Sequence, residues 1–174
     1  VVANSRYTAG LARDAGLGRV HVVPLGVRMP ERASAARAAE PFVLFVGRIV
    51  PRKGAVWFVR EVLDALPAGV RFKVAGTVWS QADAVELAAH PRVDLLGRVP
   101  EEQLDRLRRD AIAVVMPNVA SDGVDVEGFG LAALEAAAAG GVLVASAIEG
   151  ITDAVIDGET GFLLPSGCAD SWAT

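Results

Sequence analysis

Short apolar runs alternate with longer, mixed stretches along the whole chain. The runs fall at 21–24, 42–47, 71–76, 93–97, 113–117, 142–145 and 162–165, and most end in Gly or Pro. Phe42-Val43-Leu44-Phe45-Val46 is apolar at every position rather than at alternate ones. A strand of that kind is buried on both faces, which points to a parallel sheet covered by helices. Helical spacing predicts helices over 4–15, 54–66, 80–90, 100–109 and 130–139, with a short one near 152–157. Strand and helix in alternation build βαβ units, so the predicted fold is α/β, a doubly wound, Rossmann-like parallel sheet. Cap residues agree: Asn4-Ser5 before the first helix, Pro100 with Glu101-Glu102 opening another, and Gly140 closing the alanine-rich one.

Three segments follow from this pattern. Residues 1–30 read as a helix and strand at a domain junction, 31–40 as a linker rich in Ala and Arg, and 41–174 as the main Rossmann-like unit. The chain opens on Val1 inside a strand-like run and stops in a helix-like turn at Asp170-Ser171-Trp172-Ala173-Thr174. It is therefore read as a piece of a longer protein. With 52% hydrophobic and 22% charged residues, its composition is that of a globular domain rather than a disordered one. The most apolar stretch, 131–148, is interrupted by Glu135 and Gly140-Gly141, and no run reaches the roughly 18 residues of a membrane span. Cys168 is the only cysteine, which excludes an intrachain disulfide and a cysteine-built zinc site. A soluble, cytoplasmic domain is expected.

Charge refines the picture. The net charge is −4, but residues 1–60 carry ten Lys/Arg against three Asp/Glu, and the remainder seven against eighteen. A basic half suits a phosphorylated small molecule, an anionic surface or nucleic acid. The arginines are dispersed without interleaved aromatics, so no nucleic-acid partner is expected.

Chemistry should lie just after the strands, where open α/β sheets bind ligands. Gly47-Arg48-Ile49-Val50-Pro51-Arg52-Lys53-Gly54 follows the first main strand, with Lys53 at the start of the next helix. Glycines at 47 and 54 allow close backbone approach, and the cations suit an anion shared with a helix end; a solvated basic loop is the alternative. Farther on, Glu127-Gly128-Phe129-Gly130-Leu131 leads into a helix whose first N–H groups are open to phosphate or hydroxyl oxygens. Glu135 is the only polar side chain from Leu131 to Ala139, on a helix that reads as buried on nearly all sides. Such a carboxylate needs donors: either sugar hydroxyls or a nearby arginine, unless it lies on a narrow solvated stripe. Asp122 and Asp125 are spaced for a divalent cation, but a solvated loop is the expected reading. His21 and His90 read as structural, and Trp57 and Phe58 as packing residues.

Taken in order, Asn4-Ser5, Gly26-Val27, Gly47-Arg48, Lys53-Gly54, Gly97-Arg98-Val99, the Glu-x7-Glu of Glu127 and Glu135, and Asp157-Gly158-Glu159-Thr160-Gly161 resemble the family-4 glycosyltransferases. These are retaining enzymes of two-domain GT-B architecture, and the resemblance covers the C-terminal, donor-binding half alone. It implies that Arg48 and Lys53 neutralise the departing diphosphate. Glu127 would meet the donor sugar, assisted by the backbone N–H groups of Phe129, Gly130 and Leu131, and Glu135 would hold the ribose hydroxyls. Gly47 would lie against the nucleotide, and Arg98-Val99 would hold the base through backbone. The implied substrate is a UDP-, GDP- or ADP-sugar, with no cofactor or metal required. The acceptor and a catalytic histidine would belong to an absent N-terminal domain, peripheral membrane contact to the intact enzyme only, and the fragment alone would be inactive. Two departures from the family pattern stand out: Arg28 in Pro24-Leu25-Gly26-Val27-Arg28, where an acidic residue is common, and Thr77-Val78-Trp79 where a second glycine usually follows Gly76.

A non-catalytic nucleotide-sugar-binding module of the same descent is the alternative. A nicotinamide-dependent oxidoreductase would need Gly-x-Gly-x-x-Gly directly after the first strand, and neither Gly16/Gly18 nor Gly128/Gly130 supplies it.

Overall fold

The computed structural model describes residues 1–30, 40–120 and 125–173. The 31–40 linker, apart from Glu40, lies outside the described residues, as do Asp122 and Thr174. Two short strands, β1 (Val2–Ala3) and β2 (His21–Val22), pair in parallel and are joined by α1 (Arg6–Asp14). Ser5 caps α1: its hydroxyl accepts from the Thr8 N–H at 2.9 Å, and the Thr8 hydroxyl accepts from the Ser5 N–H at 3.1 Å. This reciprocal bonding satisfies helix-start donors that would otherwise be orphaned.

The main sheet has six parallel strands: β3 (Phe42–Val46), β4 (Arg71–Ala75), β5 (Val93–Gly97), β6 (Ala113–Met116), β7 (Leu143–Ser146) and β8 (Phe162–Leu164). Their order is β5-β4-β3-β6-β7-β8. The chain starts at the centre, winds outward through β4 and β5, then returns to the other side of β3 and winds outward again. The winding reverses between β3 and β6, and the carboxyl ends of that pair form the crevice where such sheets bind ligands.

Side chains of a strand alternate between faces, and in the central strands β3 and β6 both faces are buried. Val43, Phe45, Phe72, Val74 and Val115 point to one core, closed by Phe58 and Val59 of α2 (Ala55–Glu61), Leu87 of α3 (Gln81–Ala89) and Trp172 of α7 (Ala169–Trp172). Phe42, Leu44, Val114, Met116, Leu143 and Ala145 point to the other, closed by Leu104 of α4 (Glu101–Asp110), Ala133 and Ala136 of α5 (Leu131–Ala138) and Ile151 of α6 (Ile151–Ala154). Trp57 and Phe58 are packing residues, Trp57 meeting the Trp172 ring edge-on at 5.8 Å.

Three local expectations change. α2 stops at Glu61, and a 3-10 turn over Leu63–Ala65 completes the segment. β7 is displaced by one residue from 142–145, because Val114 pairs with Leu143. α5 is not buried all round: Ala133 and Ala136 are buried, whereas Leu131 is exposed. The sheet covers one face of this helix, and its small alanines bring the backbone close there without filling space on the other.

One glycine decides how the crevice is built. Gly54 ends the 3-10 turn Pro51–Lys53 and starts α2 with φ of +72°, a left-handed conformation that other residues rarely adopt. A Cβ there would stand 1.8 Å from the Pro117 carbonyl oxygen. The segment leaving β3 therefore lies directly against the segment leaving β6, and the Val119 N–H donates to the Arg52 carbonyl at 3.0 Å.

Candidate functional site

The contact made by Gly54 sets Arg52 and Lys53 opposite the residues that follow β6. The Lys53 ammonium donates to the Glu127 carboxylate, and Arg52 Nη1 and Asn118 Nδ2 each lie 3.5 Å from the same oxygen. Arg52 is 8% exposed and spans the loop, its Nε lying 2.7 Å from the Asp125 carboxylate. Burial alone would push the Glu127 carboxyl up. Lys53 and then Arg52 more than offset it, and Glu127 sits below its ordinary value. The hydrogen bond from Arg52 lowers Asp125 despite partial desolvation, and the charges of Arg52, Arg48 and Lys53 add to this. Arg52 and Lys53 of the loop thus both engage the Asp125–Glu127 segment.

Glu127 is fixed through its backbone as well. Its N–H donates to the Glu149 carboxylate, and its carbonyl accepts from the Gly150 N–H at 2.9 Å. Three residues later Gly130, with φ of +91°, turns the chain into α5. Phe129 is buried. The N–H groups that begin α5 therefore open beside the Lys53–Glu127 pair, where the helix dipole favours an anion.

Glu135 lies one turn further along α5. Arg108 of α4, only 2% exposed, donates to Glu135 at 2.5 Å, to Glu101 at 2.6 Å and to Asp105 at 3.0 Å. Of the readings open from sequence, pairing with an arginine is the one the structure displays. Burial raises the Glu135 carboxyl above its ordinary value. Arg108 opposes this, while Glu101 and Asp105 reinforce it. Glu135, Leu131 and Arg108 line a cavity of about 720 Å³ that also touches Gly26, Val27 and Arg28.

A smaller cavity of about 210 Å³ lies at the ends of β3, β4 and β5, lined among others by Gly47, Arg48, Thr77, Arg98 and Val99. The two flanking loops continue the parallel pairing beyond the sheet: the Ile49 N–H donates to Thr77 at 2.9 Å, and the Ser80 N–H to Ile49 at 3.0 Å. This places Trp79 beside Arg48, the guanidinium lying 4.8 Å from the ring centroid, within cation–π range.

The sequence-derived residues thus divide into three neighbouring groups: Lys53 with Glu127 at the start of α5, Glu135 with Arg108, and Gly47, Arg48, Arg98 and Val99 around the smaller cavity. Sequence reasoning counted Arg52 among the loop cations without giving it a separate role, and it missed Arg108 and Glu149; Arg52 and Arg108 are the two buried arginines among the described residues. The density of cations in 48–53 was the signal for Arg52. Asp125 is engaged by Arg52, and among the described residues no group of three His, Cys, Asp or Glu could hold a metal ion. His90 ends α3, its Nε2 lying 3.3 Å from Asp64, far from these groups in the fold order. Among the described residues no helix is long and apolar enough to cross a membrane.

Comparison with known proteins adds a lineage. The D-inositol 3-phosphate glycosyltransferase of Mycobacteroides abscessus is 36% identical over 166 residues, covering 87% of this chain and 36% of the relative. Glycogen synthase of Mycobacterium tuberculosis is 35% identical over 159 residues, covering 84% of this chain and 36% of the relative. The chain spans little more than a third of the length of these curated relatives. Among solved structures, sucrose-phosphate synthase from Thermosynechococcus elongatus superposes with a TM-score of 0.80 at 27% identity, over 99% of this chain and 47% of that one. Anabaena Alr3699/HepE, solved in complex with UDP-glucose, shares the fold at a TM-score of 0.79 and 22% identity, over 99% of this chain and 51% of that one. The architecture is that of GT-B glycosyltransferases. With residues 40–174 matching the family described as glycosyl transferases group 1, the chain belongs to that family.

Proposed function

We propose that this chain is the C-terminal, donor-binding half of a retaining, family-4 type glycosyltransferase that takes its sugar from a UDP-, GDP- or ADP-sugar. The observation that carries this reading is the convergence of Arg52 and Lys53 on Glu127, just before the α5 N-terminus and at the switch point of the sheet, with Arg48 on the same loop. A diphosphate placed there meets fixed positive charge and open N–H groups. As the bond to the sugar breaks, negative charge grows on the diphosphate. Groups already aimed at that position stabilise it without reorganising, which is how electrostatic preorganisation lowers a barrier.

Each remaining group has a part. Lys53 holds Glu127 as its counterion and can share its ammonium with an incoming phosphate. Glu127, kept ionised, accepts from hydroxyls of the donor sugar. Glu135, held by Arg108 on one oxygen, offers the other to the ribose hydroxyls. The smaller cavity between Arg48 and Val99 receives the base. Residues 1–30 form the junction with an N-terminal acceptor domain, and transfer itself requires that domain.

Titration of the folded chain with UDP, GDP and ADP tests the reading. One of the three should raise Tm clearly above the others, since saturation at 100 times Kd adds about 2.7 kcal/mol of stability. No heat of binding and no thermal shift with any of them overturns the proposal. For the retaining stereochemistry, the anomeric configuration of the first-formed product of the complete enzyme, read by NMR, must match that of the donor.

A further inference from the structure

Among the described residues only Arg19 and Glu149 have positive φ without being glycine, and Glu149, at +51°, is the one bonded to the site. It is followed by a glycine that does not take the left-handed turn: Gly150 has φ of −70°. Gly150 is needed for a different reason, since a Cβ there would lie 2.1 Å from the Gly128 carbonyl oxygen. The corner thus presses its backbone onto 127–128 and gives the sterically disfavoured conformation to a glutamate. Strain of this type persists where surrounding contacts determine it, and it concentrates at functional positions.

What the glutamate does there is visible in its bonds. Its carboxylate accepts from the Glu127 N–H, while the next residue, Gly150, donates to the Glu127 carbonyl at 2.9 Å. Both backbone polar groups of Glu127 are held by one two-residue corner. The Thr152 hydroxyl donates to the Glu149 carbonyl at 2.9 Å and ties the corner to α6. Opposite the corner, Gly128 faces the side chains of Asn4 and Thr8 at the start of α1.

We propose that Glu149 is a positioning residue: by clamping the Glu127 backbone it sets the direction of the Glu127 carboxylate toward the transferred sugar. The inference rests on the reading that Glu127 meets the donor sugar, and it adds a residue that acts only through Glu127. Its signature is therefore the sugar-dependent part of donor binding rather than the nucleotide-dependent part.

The test compares wild type, Glu149→Gly and Glu149→Gln, measuring Tm and the affinities for the preferred nucleoside diphosphate and for its glucose-bearing form (UDP and UDP-glucose, GDP and GDP-glucose, or ADP and ADP-glucose). Glycine relieves the left-handed strain and removes the acceptor, whereas the glutamine side-chain oxygen still accepts the same N–H. Glu149→Gly should keep a Tm within a few degrees of wild type and bind the diphosphate as before, yet bind the sugar-bearing form about tenfold more weakly. Glu149→Gln should retain the wild-type ratio of the two affinities. An unchanged ratio in Glu149→Gly, an equal loss for both ligands, or no rescue by glutamine overturns the inference while leaving the donor-site reading intact. Failure of wild type to bind either ligand overturns both.

Discussion

Replacing Lys53 by Met should lower Tm by about 6 °C and weaken diphosphate binding by about a hundredfold. Methionine keeps the length of the stem and removes the charge. The Glu127 carboxylate, 15% exposed, then keeps only Arg52 Nη1 and Asn118 Nδ2, both at 3.5 Å. Breaking a fully buried ion pair costs about 3–5 kcal/mol, and the remaining cation and partial exposure reduce this to about 2 kcal/mol here. At this chain length each kcal/mol is worth roughly 2–4 °C. The binding loss is that of a charge-assisted bond to phosphate, about 1.5–3 kcal/mol.

The pH dependence fixes the cause. The Glu127 carboxyl is depressed in the fold, so its contribution is fully present above its unfolded value and is lost as pH falls through the lower folded value. The deficit of the variant is therefore largest at neutral pH and closes on acidification, as thermal melts across pH 3–8 would show. Adding Glu127→Gln to Lys53→Met should recover stability, because both charges leave together, but not affinity.

Glu135→Gln should have the opposite profile: unchanged or slightly higher Tm, with nucleotide affinity reduced by about 10- to 100-fold, the worth of a hydrogen bond to a charged group. Burial raises the Glu135 carboxyl above its unfolded value, so between those two values the folded state holds more protons and stability falls as pH rises. At neutral pH the ionised, partly buried carboxylate costs the folded protein stability. The amide removes it, and Arg108 keeps Glu101 at 2.6 Å and Asp105 at 3.0 Å. Ribose hydroxyls donate better to the carboxylate than to the amide. Wild type should therefore prefer the ribonucleotide strongly over its 2′,3′-dideoxy form, and Glu135→Gln should lose most of that preference. A variant that discriminates like wild type would remove Glu135 from the ribose site.

Much of the fold was legible because β3 and β6 are buried on both faces and leave continuous apolar runs, a signal independent of partners. Ser5, Pro100 and Gly140 marked helix ends through local chemistry that the structure repeats. The one-residue displacement of β7 was not legible, since Val142 is as apolar as Leu143 and pairing with Val114 chooses between them. In the site, Lys53 and Glu127 could be singled out because each is a charge beside a glycine near an element boundary, and Glu135 because it is the one charge in an alanine-rich helix. Arg108 could not: its pairing with Glu135 depends on how α4 packs beside α5, and in sequence it is one of several arginines on a charged helix. Glu149 left no trace either, because Glu-Gly reads as an ordinary turn, and only the backbone angle shows that the expected order of roles is reversed.

The two cores on opposite sides of the sheet have an implication for how this pocket can change. Lys53 is carried by the segment that enters α2 and leans on the Phe58 side, whereas Glu135 and Arg108 stand on α5 and α4 above the Leu104 side. The Lys53 side and the Glu135 side of the site thus rest on separate foundations joined by the strands between them. Drift in the packing beneath one side can reshape it while the other keeps its form.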